Sequence, residues 1–173
     1  VWFRLPFLMM CTRPNICYAV GLVSRYQSNP RPAHWKAVKR ILRYLRGTAD
    51  YTLSYQRSDL HLGGYCDADW GGDLDERKST SRYAFMLSDG AISWSSKKQS
   101  CIALSTMEAE FMACSFAVQE AVWLRRFLQY LDVVTHTSNP VTIHCDSMAT
   151  LAYAKDPKYH GRTKHIDGRF YFS

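Results

Sequence analysis

The sequence predicts an α/β fold: a mixed sheet, opened by three antiparallel strands and continued by alternating helices and strands, preceded by a small helical segment. Three observations carry that expectation. Apolar residues recur at helical spacing up to Gly47 and at strand spacing from Gly63. Three strand-like runs then follow one another, with an Asp-Gly turn signal between the second and the third. Beyond them a long helical pattern opens on a capping motif, and a short apolar run ending in an acid leads into further helical residues.

In chain order, Cys11 to Tyr26 reads as a helix, with Pro14 suited to its first turn and Ile16, Val20 and Val23 at helical spacing. Asn29-Pro30-Arg31-Pro32 breaks it. His34 to Arg46 is amphipathic, with Trp35, Val38, Ile41, Leu42 and Leu45 on one face, Lys36, Lys39, Arg40 and Arg43 on the other, and Gly47 as its stop. Tyr51 to Tyr55 alternates and predicts a short strand. The apolar run Leu60 to Cys66 ends in Asp67 and Asp69, then in Gly71 and Gly72. Residues 73–80 are a polar connection, Tyr83–Leu87 and Ile92–Ser96 are paired strands, and Ser105-Thr106-Met107-Glu108 opens a helix running to Tyr130. Pro140 to Asp146 is a strand ending in an acid, Ser147 to Ala154 a short helix, and Arg162 onward is helical again.

Composition bounds the function. With 173 residues and 47% apolar content the chain can bury a core, and 21% charged residues argue against disorder. No apolar run is long enough to cross a membrane, so the expected setting is soluble and intracellular, without a membrane partner. Six cysteines without a Cys-x-x-Cys pair predict reduced, buried thiols rather than zinc ligands or disulfides. The net charge of +7 is uneven: residues up to Leu62 carry +8, the remainder −1. A basic segment joined to a nearly neutral, acid-bearing one suits a nucleic-acid enzyme, although a basic stripe also serves simply to solvate a helix. Nothing in the sequence specifies an oligomeric state.

Asp67 and Asp146 each end an apolar strand and each follow a cysteine, so neighbouring strands would bring both carboxylates to one end of the sheet. Asp69 shares the face of Asp67 if that strand continues. Glu108 and Glu110 lie on different faces of the long helix at about 100° per residue. Glu110 stands above Ala113, Cys114 and Ala117, whose small side chains permit close approach to the sheet; Glu108 fits the capping role. Asp167 could complete a fourth corner. Clustered carboxylates repel unless cations sit between them, and two divalent ions about 4 Å apart would suit phosphodiester cleavage. Unrelated caps and surface acids would give the same spacing.

Gly64-Tyr65-Cys66-Asp67-Ala68-Asp69-Trp70, Arg77-Lys78-Ser79-Thr80-Ser81, Ile92-Ser93-Trp94-Ser95-Ser96-Lys97-Lys98-Gln99, Ala103-Leu104-Ser105-Thr106-Met107-Glu108-Ala109-Glu110-Phe111-Met112-Ala113, Cys145-Asp146-Ser147 and Arg162-Thr163-Lys164-His165-Ile166-Asp167 together resemble the ribonuclease H domain of copia-type retrotransposon polyproteins. Cys11-Thr12-Arg13-Pro14-Asn15-Ile16 and His34 through Thr48 resemble the end of the reverse transcriptase preceding it. The resemblance divides the chain into a reverse-transcriptase remnant over 1–56 and a ribonuclease H-like domain over 60–173.

The resemblance implies hydrolysis of the RNA strand of an RNA/DNA hybrid, with two Mg2+ ions, for which Mn2+ could substitute, held by Asp67, Glu110, Asp146 and Asp167. The hybrid would be read by shape and 2′-hydroxyl contacts. Lys97, Lys98 and Arg162, with Lys39 and Arg43 on the basic helix, are the candidate nucleic-acid contacts, and His160 or His165 the candidate proton shuttle. The implied partners are the hybrid and the reverse transcriptase and integrase portions of the Pol polyprotein, in a cytoplasmic virus-like particle or the nucleus. The polymerase's Tyr-x-Asp-Asp motif is absent, so no DNA synthesis is expected. Family members usually have glycine at Arg82 and asparagine at Ser147. Residues 1–7 fit the family poorly, the mark of a frameshifted or decayed edge. An inert or merely nucleic-acid-binding relic is the alternative; an integrase-like nuclease fits less well, because integrases place the glutamate last.

Overall fold

The computed structural model describes residues 4–55, 60–132 and 140–155. In chain order it forms α1 (Arg4–Cys11), a 3-10 turn (Pro14–Ile16), α2 (Cys17–Ser24), α3 (Pro32–Gly47), β1 (Leu62–Asp69), β2 (Thr80–Leu87), β3 (Gly90–Lys98), α4 (Thr106–Tyr130), β4 (Thr142–His144) and α5 (Met148–Lys155).

The strands form a mixed sheet in the order β3-β2-β1-β4. β1, β2 and β3 pair antiparallel, as the alternating runs and the turn before Gly90 predict. β4 joins β1 in parallel, with Tyr65 opposite His144. That pairing needs a long crossover, which α4 supplies.

The two faces of the sheet carry different layers. Cys66 and Phe85 point toward α4 and pack on Ala117, Ala121 and Leu124. Phe85 is fully buried, and a Cβ on Gly64 would collide with its ring, so this strand position accepts only glycine. Further along α4, Phe111 and Met112 pack with Ala103, Ala109 and with Tyr153 of α5. The opposite face takes the N-terminal helices: Trp94 Nε1 donates to the Met9 carbonyl at 2.8 Å, and Gly21 lies against the Ser96 carbonyl. Those helices share their own core of Leu5, Ile16, Val20, Val23, Val38 and Ile41. Arg25 of this layer reaches Asp73 at 3.3 Å, tying it to the loop after β1.

One element is new to the sequence reading, and two expectations are corrected. Residues 4–11 form a helix that anchors Leu5 in the N-terminal core, although 1–7 fit the family pattern poorly. Pro6 falls in its first turn, where the missing N–H costs nothing. The helix expected from Cys11 to Tyr26 is broken: Pro14 opens a 3-10 turn, and regular α-helix begins only at Cys17. Tyr51–Tyr55 is not a strand. Its alternation finds no ladder; instead the Tyr55 hydroxyl donates to the Ala91 carbonyl at 2.9 Å, and its ring covers Gly90. The cysteines are free; Cys11 is exposed, while Cys17 and Cys66 are buried. Among the described residues no helix is long and apolar enough to cross a membrane.

Candidate active site

Parallel pairing of β1 with β4 brings the ends of both strands to one edge of the sheet. Continuing the register beyond Tyr65 and His144 places Cys66 and Asp67 beside Cys145 and Asp146. The chain turns into α5 directly after Asp146, where the Ser147 hydroxyl accepts from the Thr150 N–H at 3.2 Å.

α4 delivers the glutamate. Its start is set by Ser105, whose hydroxyl accepts from the Glu108 N–H at 3.2 Å, while the Glu108 carboxylate accepts from the Leu104 N–H at 2.8 Å. The box expected at Ser105 and Glu108 is thus modified, the glutamate returning to the residue before the cap. Ala109, Ala113 and Ala117 are fully buried, letting the helix lie close on the sheet. From there Glu110 Oε1 accepts from the Ala68 N–H of β1 at 3.1 Å. Glu110 Oε2 is buried and has no hydrogen-bond partner among the described residues. Glu110, Cys145 and Asp146 bring ligand atoms within 4.8 Å of one another.

Burial raises the Glu110 pKa above the usual carboxylate range; the Ala68 hydrogen bond opposes the shift, and the negative charges of Asp67 and Asp146 add to it. Burial likewise raises the Cys145 thiol, which therefore stays protonated beside the acids at neutral pH. The hard donors are the two carboxylates. A glutamate with one orphaned, buried oxygen and a second carboxylate within reach fits a divalent cation, which would offset the repulsion between the two acids.

Asp67, although its charge reaches Glu110, is not among the three grouped ligands, and with Asp69 it lies on the face of β1 opposite to Cys66. Arg82, the cross-strand partner of Asp67, spans them: its guanidinium is 3.3 Å from Asp67 Oδ2 and 3.4 Å from Asp69 Oδ2. Its Cζ sits 4.9 Å above the Tyr18 ring of α2. Both acids remain part-exposed, Asp67 at 52% and Asp69 at 38% of their side-chain area. Trp70 bonds instead to the Ala103 carbonyl at 3.1 Å. Sequence reasoning passed over Arg82 as a site residue; the signal that finds it is the strand register.

Lys97 is exposed near the end of β3, beside a cleft of about 290 Å³ lined by Ser81, Tyr83 and Glu120. Lys98, proposed for the same role, is engaged by Asp73 at 2.8 Å and Glu76 at 2.6 Å, and these acids raise its pKa. Lys39 and Arg43 are exposed on α3. Asp167, His160, His165 and Arg162 lie outside the described residues.

No family model and no solved structure matches the chain. Curated relatives do. The chain is 51% identical over 168 residues, 97% of its length, to a retrovirus-related Pol polyprotein from transposon TNT 1-94 of Nicotiana tabacum. It is 39% identical over 162 residues to the Pol polyprotein from transposon RE2 of Arabidopsis thaliana. It spans 12% of the first polyprotein and 11% of the second. A shorter relative is the secreted RxLR effector protein 161 of Plasmopara viticola, 53% identical over 119 residues, covering 68% of this chain and 84% of that protein. Long, high-identity matches that span both the N-terminal helices and the sheet show that the chain is similar over nearly its whole length to a short segment of copia-type retrotransposon Pol polyproteins.

Proposed function

We propose that this part of the polyprotein is a metal-dependent ribonuclease H that cleaves the RNA strand of RNA/DNA hybrids during reverse transcription. One observation carries the reading: Glu110 and Asp146 converge at a sheet edge, with a buried Glu110 oxygen left unpartnered. Glu110 and Asp146 would hold a divalent cation, with Asp67 and, by the resemblance, Asp167 as further candidate ligands. Bound there, Mg2+ supplies activation of water and stabilisation of the departing oxygen. The chain's own part is positional: Ala68 fixes one oxygen of Glu110, and the Ser147 cap fixes the turn behind Asp146. Lys97, Lys39 and Arg43 are exposed cations available to the hybrid's phosphates, with the reverse transcriptase and integrase portions of the polyprotein as partners in a cytoplasmic particle.

The test is cleavage of a labelled RNA/DNA hybrid with and without Mg2+, wild type against Glu110→Gln and Asp146→Asn. Mg2+-dependent cleavage by the wild type and its loss in both variants support the reading. A folded wild type that leaves the hybrid intact overturns it. A second reading, a Pol-derived remnant without nuclease activity, is favoured by the effector relative, which is covered over 84% of its length by this region alone.

A further inference from the structure

Arg82 lies between two acids and an aromatic ring. It stands directly opposite Asp67 in the β1–β2 ladder and bridges Asp67 and Asp69, and its guanidinium rests on Tyr18 from the N-terminal layer. Two carboxylates on one strand face repel, and a permanently protonated guanidinium between them removes that repulsion as a metal ion would. The hold is loose. Separations of 3.3 and 3.4 Å exceed the roughly 2.7–2.9 Å of strong charge-assisted bonds. Arg82 Nε is buried without a hydrogen-bond partner among the described residues. The group is therefore seated by charge and ring stacking, not by a complete set of hydrogen bonds.

We infer that Arg82 is a resident cation that sets the affinity of the site for divalent ions: it occupies Asp67, leaving Glu110 and Asp146 to bind alone, and it must swing away before Asp67 can become a ligand. The inference rests on the proposed reading of Glu110 and Asp146 as a cation site. Because Tyr18 belongs to α2, the N-terminal helices help to keep Arg82 in place, so the layer on one face of the sheet tunes a site at its edge.

The experiment is Mn2+ binding to the whole chain by titration calorimetry, for wild type, Glu110→Gln, Arg82→Ala, Arg82→Ala/Asp67→Asn and Tyr18→Ala. Removing Arg82 tightens binding about tenfold, the scale of two weak ion pairs, and Asp67→Asn in that background returns it to the wild-type value. Tyr18→Ala, which leaves every charge in place, tightens it by a smaller factor and serves if Arg82→Ala folds poorly. Equal affinity of wild type, Arg82→Ala and Tyr18→Ala, or a gain that survives Asp67→Asn, overturns the inference while wild-type binding that is lost in Glu110→Gln leaves the cation site standing. No Mn2+ binding by any folded variant overturns the cation site and the inference together.

Discussion

The acids at the edge of the sheet form two pairs whose charge is met in different ways. Asp67 and Asp69 sit on one face of β1, part-exposed, with the Arg82 guanidinium between them. Glu110 and Asp146 meet on the α4 side, and among the described residues no Lys or Arg pairs with either. In the first pair the protein's own cation offsets one of the two charges. The second carries a raised Glu110 pKa and an oxygen without a partner, a cost that a folded chain keeps only where something else discharges it. Proximity of carboxylates alone does not mark a cation site; the absence of an internal counterion is the better sign.

The comparison can be broken outright by removing the scaffold both pairs share. Phe85→Ala empties a fully buried position under β1, and should cost about 3–5 kcal/mol in urea unfolding. A change below about 1 kcal/mol would mean that the sheet does not depend on this contact. Next in size, Glu110→Gln and Asp146→Asn should each lower Mg2+-dependent hybrid cleavage by about 10²-fold or more, the loss typical of a group that stabilises developing charge. Asp69→Asn should leave cleavage within about threefold, because Asp69 belongs to the pair that has Arg82 as its internal counterion.

How much of this was legible in the sequence varies with the range of the interaction. The three antiparallel strands, α3, α4 and the acid-ended β4 follow from local periodicity and caps, and so appear in the structure within a few residues of their expected bounds. That Asp67 and Asp146 share one end of the sheet was legible too, because each follows a cysteine at the close of an apolar run. Arg82 was not, because its meeting with Asp67 depends on the register of β1 against β2 across a connection of ten residues, 70–79, and a slip of one would turn it to the α4 face. The strand expected at 51–55 failed for the opposite reason. Its local preference is genuine, but strand structure exists only where a neighbour offers a ladder.

A pH measurement sharpens the contrast. The folded pKa of Glu110 is raised above its unfolded value, so the native state binds more protons than the unfolded state between the two. Stability from this group is therefore full below the ordinary glutamate value of 4.5 and declines as pH rises through the folded pKa. In EDTA, Glu110→Gln should melt above the wild type at pH 7, with the gap closing near pH 4. A gap that widens on acidification would contradict the assignment. The smallest effect belongs to the other pair: Asp69→Asn should shift metal-free stability by about 0.2–1 kcal/mol, as expected of a part-exposed ion pair, and scanning calorimetry in low salt would resolve it.

The central claim is that the pair without a counterion among the described residues is where a divalent cation binds. Titration of Mn2+ into the wild type, Glu110→Gln and Asp69→Asn, all checked for native circular dichroism, tests it most directly. Binding that disappears with Glu110→Gln and persists with Asp69→Asn is the result expected; binding that survives Glu110→Gln and disappears with Asp69→Asn would contradict the account.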